Sequence, residues 1–400
     1  PEGCNDIPRR ALARGALRRY LRSRFTQQSP SRRRCDVPSS PQNIKMSEFQ
    51  TNVNTLDLEA LKALLPPMKQ DGFVVRGADA TVERIKVPIP GPDECYVKVL
   101  IAGVCNTDLE IMKGYMGFEG VVGHEFVGLC ESAPHSHQHL VGKRVVGEIN
   151  LACNACMLCE RGGPRARNHC PKRTVLGILN KNGTYQERLT LPARNLHVVP
   201  DSVTTENAAF AEPLAAAFRV VEQNLVPAKT KIAIVGDGKL GLLIGEVLGR
   251  HAQRTGSPRP VLYGRHASKM KLLSEGAQCD TALSDTALPE NAYAYDVVVD
   301  ATGSPAGLDL SRQLCRTEGT LVLKSTCAAG TDFNTAPFVV DELRVQGSRC
   351  GPFGPALELL KTLDLTPLID STFPLAKAPA AVKRAGERGC LKVQIRVSDG

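Results

Sequence analysis

Three short stretches of this chain carry side chains of the kinds that hold a catalytic metal. Gly103-Val104-Cys105-Asn106-Thr107-Asp108 offers a thiol, Gly123-His124-Glu125 an imidazole and a carboxylate, and Glu212-Pro213-Leu214-Ala215 a further carboxylate. Thiolate, imidazole and carboxylate together suit a catalytic zinc, which keeps one position open for water or substrate. Alone, a cysteine is more often a small core side chain and a His-Glu pair more often a surface pair. Their joint occurrence, in this order and upstream of a glycine-rich turn, makes the set specific.

A second constellation is closed rather than open. Cys153, Cys156 and Cys159 stand at C-x2-C-x2-C spacing and Cys170 follows. Four thiolates form a tetrahedral, structural zinc site with no position left for chemistry. The ten residues between Cys159 and Cys170 are expected to bulge as a surface loop around Gly163-Pro164-Arg165. A nucleic-acid zinc ribbon is the rival reading. It requires basic and aromatic surroundings, and only Arg161, Arg165, Arg167 and His169 qualify.

The third signal is Gly236-Asp237-Gly238-Lys239-Leu240-Gly241, with G-x-G-x-x-G spacing. Its glycines serve a tight turn, close approach of backbone to a diphosphate, and helix–strand packing, and the free N–H groups of the following helix face the phosphates. The pattern counts because it directly follows Ile232-Ala233-Ile234-Val235 and directly precedes an apolar helix. At the end of the next strand an NAD site normally carries Asp or Glu for the ribose 2′-OH. Here the chain reads Val261-Leu262-Tyr263-Gly264-Arg265-His266, with Lys269 beyond. Arg265, His266 and Lys269 suit a 2′-phosphate, so NADP(H) is expected over NAD(H). The plainer alternative leaves Arg265 and Lys269 merely solvated.

These groups must be positioned by two kinds of element. β-Branched runs at 74–75, 82–87, 96–101, 121–127 and 144–149, separated by Gly and Pro, predict a β-rich unit with long loops. After Ala208 the texture changes to alternating helix and strand: a helix over 209–221, a strand over 231–235, a helix over 240–248, then strands at 260–263, 296–300 and 319–324. That alternation predicts a doubly wound parallel sheet. From about Gly347 the chain leaves that sheet, and a last strand over 391–397 returns it to the first unit. The fold class is therefore α/β.

Together these segments resemble the zinc-dependent medium-chain dehydrogenase/reductase family, in its alcohol, polyol and threonine dehydrogenase branch, from about residue 70 to the C-terminus. The resemblance implies a GroES-like catalytic domain (69–215 and 348–400, with the structural zinc lobe at 151–171) around a Rossmann coenzyme domain (216–347). It implies Cys105 and His124 as metal ligands, Glu125 as a ligand or a group just behind them, and Glu212 where classical alcohol dehydrogenases hold a third cysteine. Two zinc ions per chain and a homodimer or homotetramer are further implications. Thr107 becomes the hydroxyl of a proton path while zinc, as Lewis acid, favours loss of hydride to the nicotinamide. Many relatives place a histidine three residues after this hydroxyl; this chain has Glu110, which serves there or leaves the proton to water.

Composition narrows the alternatives. With 42% apolar and 23% charged residues the chain is ordinary for a soluble globular protein, and no apolar run approaches the roughly 20 residues that span a bilayer. The net charge of +9 is concentrated in residues 1–45, which hold ten Arg, one Lys and three acids, a net of +8. The remainder is nearly neutral, so no basic face for nucleic acid is implied. Fourteen Cys in a long chain fit metal ligation better than a disulfide scaffold. The Arg-rich, Ser-containing segment 1–45 resembles a transit peptide, implying mitochondrion or plastid. Alternatively Met46 is the initiator and the protein is cytoplasmic, or the segment is a solvated tail. Residues 46–68 read as a linker with a short helix over 56–65. Two other functions are open at this level: a non-catalytic zinc-binding interaction protein on the same scaffold, and nucleic-acid binding through the leader and cysteine lobe.

Overall fold

The computed structural model describes residues 68–77, 79–325 and 334–399. The Arg-rich leader and the helix expected over 56–65 lie outside them. Among the described residues, the strands before residue 200 are β1 (Lys69–Arg76), β2 (Asp79–Lys86), β3 (Glu94–Gly103), β4 (Gly120–Val121), β5 (Glu125–Ser132), β6 (Arg144–Gly147), β7 (Asn150–Leu151), β8 (Thr174–Leu176), β9 (Asn180–Lys181), β10 (Arg188–Pro192) and β11 (Leu196–Val198). Then follow β12 (Ile232–Val235), β13 (Val261–Gly264), β14 (Asp280–Leu283), β15 (Tyr295–Asp300), β16 (Cys315–Leu323), β17 (Arg344–Gly347), β18 (Ile369–Pro374) and β19 (Lys392–Arg396).

The largest sheet runs β11-β6-β5-β3-β19-β18, with β10 also on β3. The C-terminal strand β19 thus returns to the sheet of the N-terminal part, pairing antiparallel with β3 through Gln394↔Gly103. The other major sheet, β14-β13-β12-β15-β16-β17, is parallel throughout. Its strand order reverses between β12 and β15, and such a switch point opens a crevice at the carboxyl ends of the strands. Strand β12 is buried at all four residues, as a parallel strand covered on both faces must be.

Helix α1 (Asn106–Ile111) leaves the end of β3. A short helix, α2 (Gly163–His169), sits in the cysteine lobe. The helices α3 (Ala211–Glu222) and α4 (Lys239–Thr255) join the two sheets. One apolar cluster runs from Ile101, Val127 and Val146 through Leu214, Ala215 and Phe218 to Ile232, Ile234 and Leu262. The two sheets therefore share packing through one core. No described helix is long and apolar enough to cross a membrane.

Two local expectations are corrected. The strand expected over 121–127 is broken between β4 and β5, because Gly123 takes φ +93°, a conformation open to glycine. There the backbone pairs with a loop instead: Gly183, Thr184 and Tyr185 N–H groups donate to the carbonyls of Val121, Gly123 and Val122. The bulge expected at Gly163-Pro164-Arg165 is the first turn of α2. Gly162 and Gly163 reverse the chain at φ +67° and +72°, proline is accepted in a first turn, and the helix delivers Cys170 to the lobe.

Candidate functional site

Strand register brings the distant ligand candidates together. Gly103 of β3 lies opposite Glu125 of β5 on one side and Gln394 of β19 on the other. Two residues beyond Gly103 stands Cys105, one before Glu125 stands His124, and two before Gln394 stands Lys392. All three sit at the same end of the sheet. The thiol of Cys105, a ring nitrogen of His124 and a carboxylate oxygen of Glu125 lie within 4.8 Å of one another. A Cβ at Gly103 would stand 2.2 Å from Glu125 Oε2, so only glycine there lets the Glu125 side chain fold inward.

His124 is buried and oriented by Asp108. Its Nδ1 is 3.2 Å from Asp108 Oδ1. Asp108 also accepts from Cys105 N at 2.9 Å and from the Tyr185 hydroxyl at 2.7 Å. Burial opposes charge on Asp108, but His124 and these donors outweigh it and hold the carboxyl below its ordinary range. An ionised carboxylate only accepts, so Nδ1 carries a proton toward Asp108, which leaves Nε2 as the nitrogen that would bind a metal once its own proton is released. Burial likewise opposes charge on His124, and Asp108 and Cys105 overcome it, raising the imidazole well above its ordinary value in the metal-free protein. A carboxylate behind a histidine is the usual partner of an imidazole that binds metal.

Glu125 is paired with the fully buried Lys392. Replacing Lys392 with Met is expected to destabilise the fold by about 3–5 kcal/mol, since a buried carboxylate is left without its counter-charge. Adding Glu125→Gln to that variant should recover most of the loss. Urea unfolding reads both, and an unchanged midpoint for the single variant would show that the pair carries no stability.

The remaining candidates divide. Glu212, in the first turn of α3, falls outside the 4.8 Å group. It feels His124, Glu125 and Lys392 electrostatically, and burial first among these influences raises its carboxyl. It has no hydrogen bond or ion pair with another described residue. Thr107 Oγ1 is 3.8 Å from Cys105 Sγ. Glu110 is half-buried and ion-paired to Lys113 at 2.8 Å. Asp108, Tyr185 and Lys392 were not singled out from the sequence. Asp108 has a local signal, as the carboxylate at the third helical position after Cys105 that bonds back to the cap. Tyr185 and Lys392 have none, because their partners are 77 and 267 residues away.

The four lobe cysteines converge. Sγ–Sγ distances are 3.5 Å for Cys156–Cys159 and Cys153–Cys170, 3.9 Å for Cys156–Cys170 and 4.0 Å for Cys153–Cys159. Four thiolates about 2.3 Å from one tetrahedral ion would stand about 3.8 Å apart. The donor set fits zinc without rearrangement.

At the glycine turn, Gly236 takes φ +117° against the Ala301 backbone, and a Cβ at Gly241 would stand 1.9 Å from Gly236 O. Gly238 faces open space, with nothing within 4 Å of a Cβ there. The turn thus packs inward on two glycines and opens outward on the third, with Leu240 following in the first turn of α4. Of the three expected cations, His266 is engaged: its backbone N–H and Nδ1 bond Asp237 Oδ2 at 2.6 and 2.9 Å. Arg265 is exposed and Lys269 half-buried, and neither has an ion-pair partner among the described residues. The side chain of Lys239 crosses to the other sheet, donating to Val104 O at 3.4 Å. The turn and the metal cluster are therefore joined through the contact of Lys239 with the residue before Cys105.

Residues 91–201 match the alcohol dehydrogenase GroES-like domain. The chain is 25% identical over 351 residues to D-arabinitol dehydrogenase 1 of Uromyces fabae, covering 83% of this chain and 98% of that protein. It is 27% identical over 314 residues to the L-threonine 3-dehydrogenase of Xanthomonas euvesicatoria pv. vesicatoria, covering 74% and 87%. A solved structure from Sinorhizobium meliloti 1021, described as a zinc-binding dehydrogenase bound to NADP, superposes with a TM-score of 0.71. That likeness covers 82% of this chain and all of the other at 25% identity.

Proposed function

From the premise that this chain is a zinc-dependent medium-chain dehydrogenase/reductase, an oxidoreductase of alcohols, we propose how its residues divide the work. Cys105 and His124 hold the catalytic zinc. Glu125 stands at ligand distance but is shared with Lys392, and Glu212, free of other bonds, closes on the metal directly or through water. Cys153, Cys156, Cys159 and Cys170 hold a second, structural zinc. The observation that carries the reading is the convergence of Cys105, His124 and Glu125 within 4.8 Å, linked to the Gly236–Gly241 turn by the contact of Lys239 with Val104 O.

When bound, zinc supplies a Lewis acid that acidifies the substrate hydroxyl, and the nicotinamide supplies the hydride acceptor. The protein's own contribution is orientation and proton handling. Asp108 fixes the His124 tautomer, with Tyr185 and the Cys105 N–H holding Asp108 in turn. Thr107, beside Cys105, passes a proton outward, and Glu110 stands one helical turn further on. The substrate class is an alcohol or polyol, supported by the arabinitol and threonine dehydrogenase relatives. A screen of polyols, sugars, secondary alcohols and threonine with NADP⁺ and NAD⁺, followed as absorbance of the reduced coenzyme, tests this. Failure of every substrate with zinc-replete protein would remove it.

The coenzyme is NADP(H) in preference to NAD(H), a choice supported by the unpaired Arg265 and Lys269. Arg265→Ala is expected to raise the Kd for NADPH about ten- to a hundredfold, the worth of a charge-assisted hydrogen bond, and to leave NADH binding unchanged. Equal losses for both coenzymes would assign Arg265 elsewhere. The reading includes a homodimer or homotetramer, supported by β17, an edge strand exposed at all four residues.

A further inference from the structure

Two ammonium groups converge on one backbone oxygen beside the metal-ligand candidates. Lys392 Nζ and Lys239 Nζ each stand 3.4 Å from Val104 O, the carbonyl immediately before Cys105. Lys392 arrives from β19 and Lys239 from the first turn of α4, and they differ in their partners. Lys392 is neutralised by Glu125. Lys239 has no carboxylate at ion-pair distance among the described residues, and its one hydrogen bond is long. Burial, and after it the repulsion of Lys392, hold its ammonium below the ordinary lysine range. A half-buried cation with no counter-charge beside it is stabilised when an anion meets it.

The position of Lys239 names the anion. It is the first residue of the seventeen-residue helix α4, directly after Gly238, whose outward face is open. The free N–H groups of that helix end amount to about half a positive charge, well short of neutralising a diphosphate. Lys239 is the nearest side-chain cation in sequence to that opening, since Arg265 and Lys269 follow the next strand. Its reach to Val104 O shows that the side chain spans from the glycine turn to the segment that follows β3.

We propose that the Lys239 ammonium binds the diphosphate of the dinucleotide, completing the backbone site at Gly238 and tying the coenzyme to the Val104–Cys105 segment that carries the catalytic ligands. This rests on the coenzyme reading above and adds to it a side-chain contact beyond the glycine spacing. Coenzyme entry would exchange the long bond to Val104 O for charge-assisted bonds to phosphate oxygens, the stronger class.

The test is calorimetric titration of ADP-ribose and 2′-phospho-ADP-ribose, which carry the diphosphate and lack the nicotinamide, into zinc-replete wild type, Lys239→Met and Lys239→Arg. Lys239→Met is expected to weaken the tighter of the two probes roughly tenfold or more, and Lys239→Arg to restore most of it. Thermal melts of the three proteins exclude misfolding as the cause. If wild type binds neither probe, the coenzyme reading itself falls. If wild type binds and Lys239→Met binds equally well, the coenzyme reading stands and this inference is overturned. A Lys239→Met enzyme with unchanged probe affinity but a raised KM confined to anionic substrates would also overturn it, by giving the ammonium to the substrate.

Discussion

Cys105→Ala is expected to lower kcat/KM by about a thousandfold or more and, on the two-zinc reading proposed above, to reduce zinc from two ions per chain to one. The size follows from what the site supplies. Lewis-acid stabilisation of developing charge is worth several kcal/mol, and each 1.4 kcal/mol is tenfold in rate. Cys105 caps helix α1, yet its thiol makes no strong bond that the fold depends on, and Asp108 still accepts from its backbone N–H. The melting temperature of the metal-free protein should therefore move little, which separates loss of metal from loss of fold. Metal analysis beside steady-state kinetics reads both quantities. A variant that kept two zinc ions and wild-type activity would remove Cys105 from the catalytic set and place the open site elsewhere.

The second large effect is expected at the proposed structural zinc site of the four lobe cysteines. Cys170→Ser should release the lobe zinc and lower thermal stability by about 3–5 kcal/mol, in the range that marks loss of a metal among single substitutions. For a chain of this size, with about 2.1 cal/mol/K of unfolding entropy per residue, that corresponds to a fall of roughly 5 °C. Cys170 is fully buried and stands 3.5 Å from Cys153 and 3.9 Å from Cys156, so no solvent path offers a substitute ligand from outside. The same result is expected from a strong chelator under conditions that strip both ions, with the extra loss of activity that Cys105→Ala shows. Scanning calorimetry with metal analysis is the measurement. An unchanged melt with one zinc missing would mean that lobe packing through Ala166, Asn168 and Leu151 suffices without metal.

The groups legible in the sequence are those whose partners lie close along the chain. Cys153, Cys156 and Cys159 announce a metal because thiols three apart on a loop face one another with few intervening dihedrals to fix. The Gly236–Gly241 turn is legible for the same reason, since strand, turn and helix are contiguous and each glycine answers a local steric demand. Alternation of strand and helix after Ala208 announced the parallel sheet, because the two periods are written in neighbouring residues.

Tertiary structure decided what depends on register. That Glu125 folds over Gly103 and meets Lys392 follows from pairing β3 with β5 and β19, which sequence spacing does not encode across 267 residues. The Asp108–Tyr185 bond arises because the loop at 183–185 replaces a sheet neighbour along the broken strand before His124. The three-cation cluster lost His266 to Asp237, a contact between the glycine turn and the end of β13. Lys239, one letter inside a familiar spacing, crosses the cleft to Val104 only because packing through α3 holds the two sheets together. The chain determined the kinds of ligand by local chemistry; long-range strand pairing and shared core packing decided which of them meet.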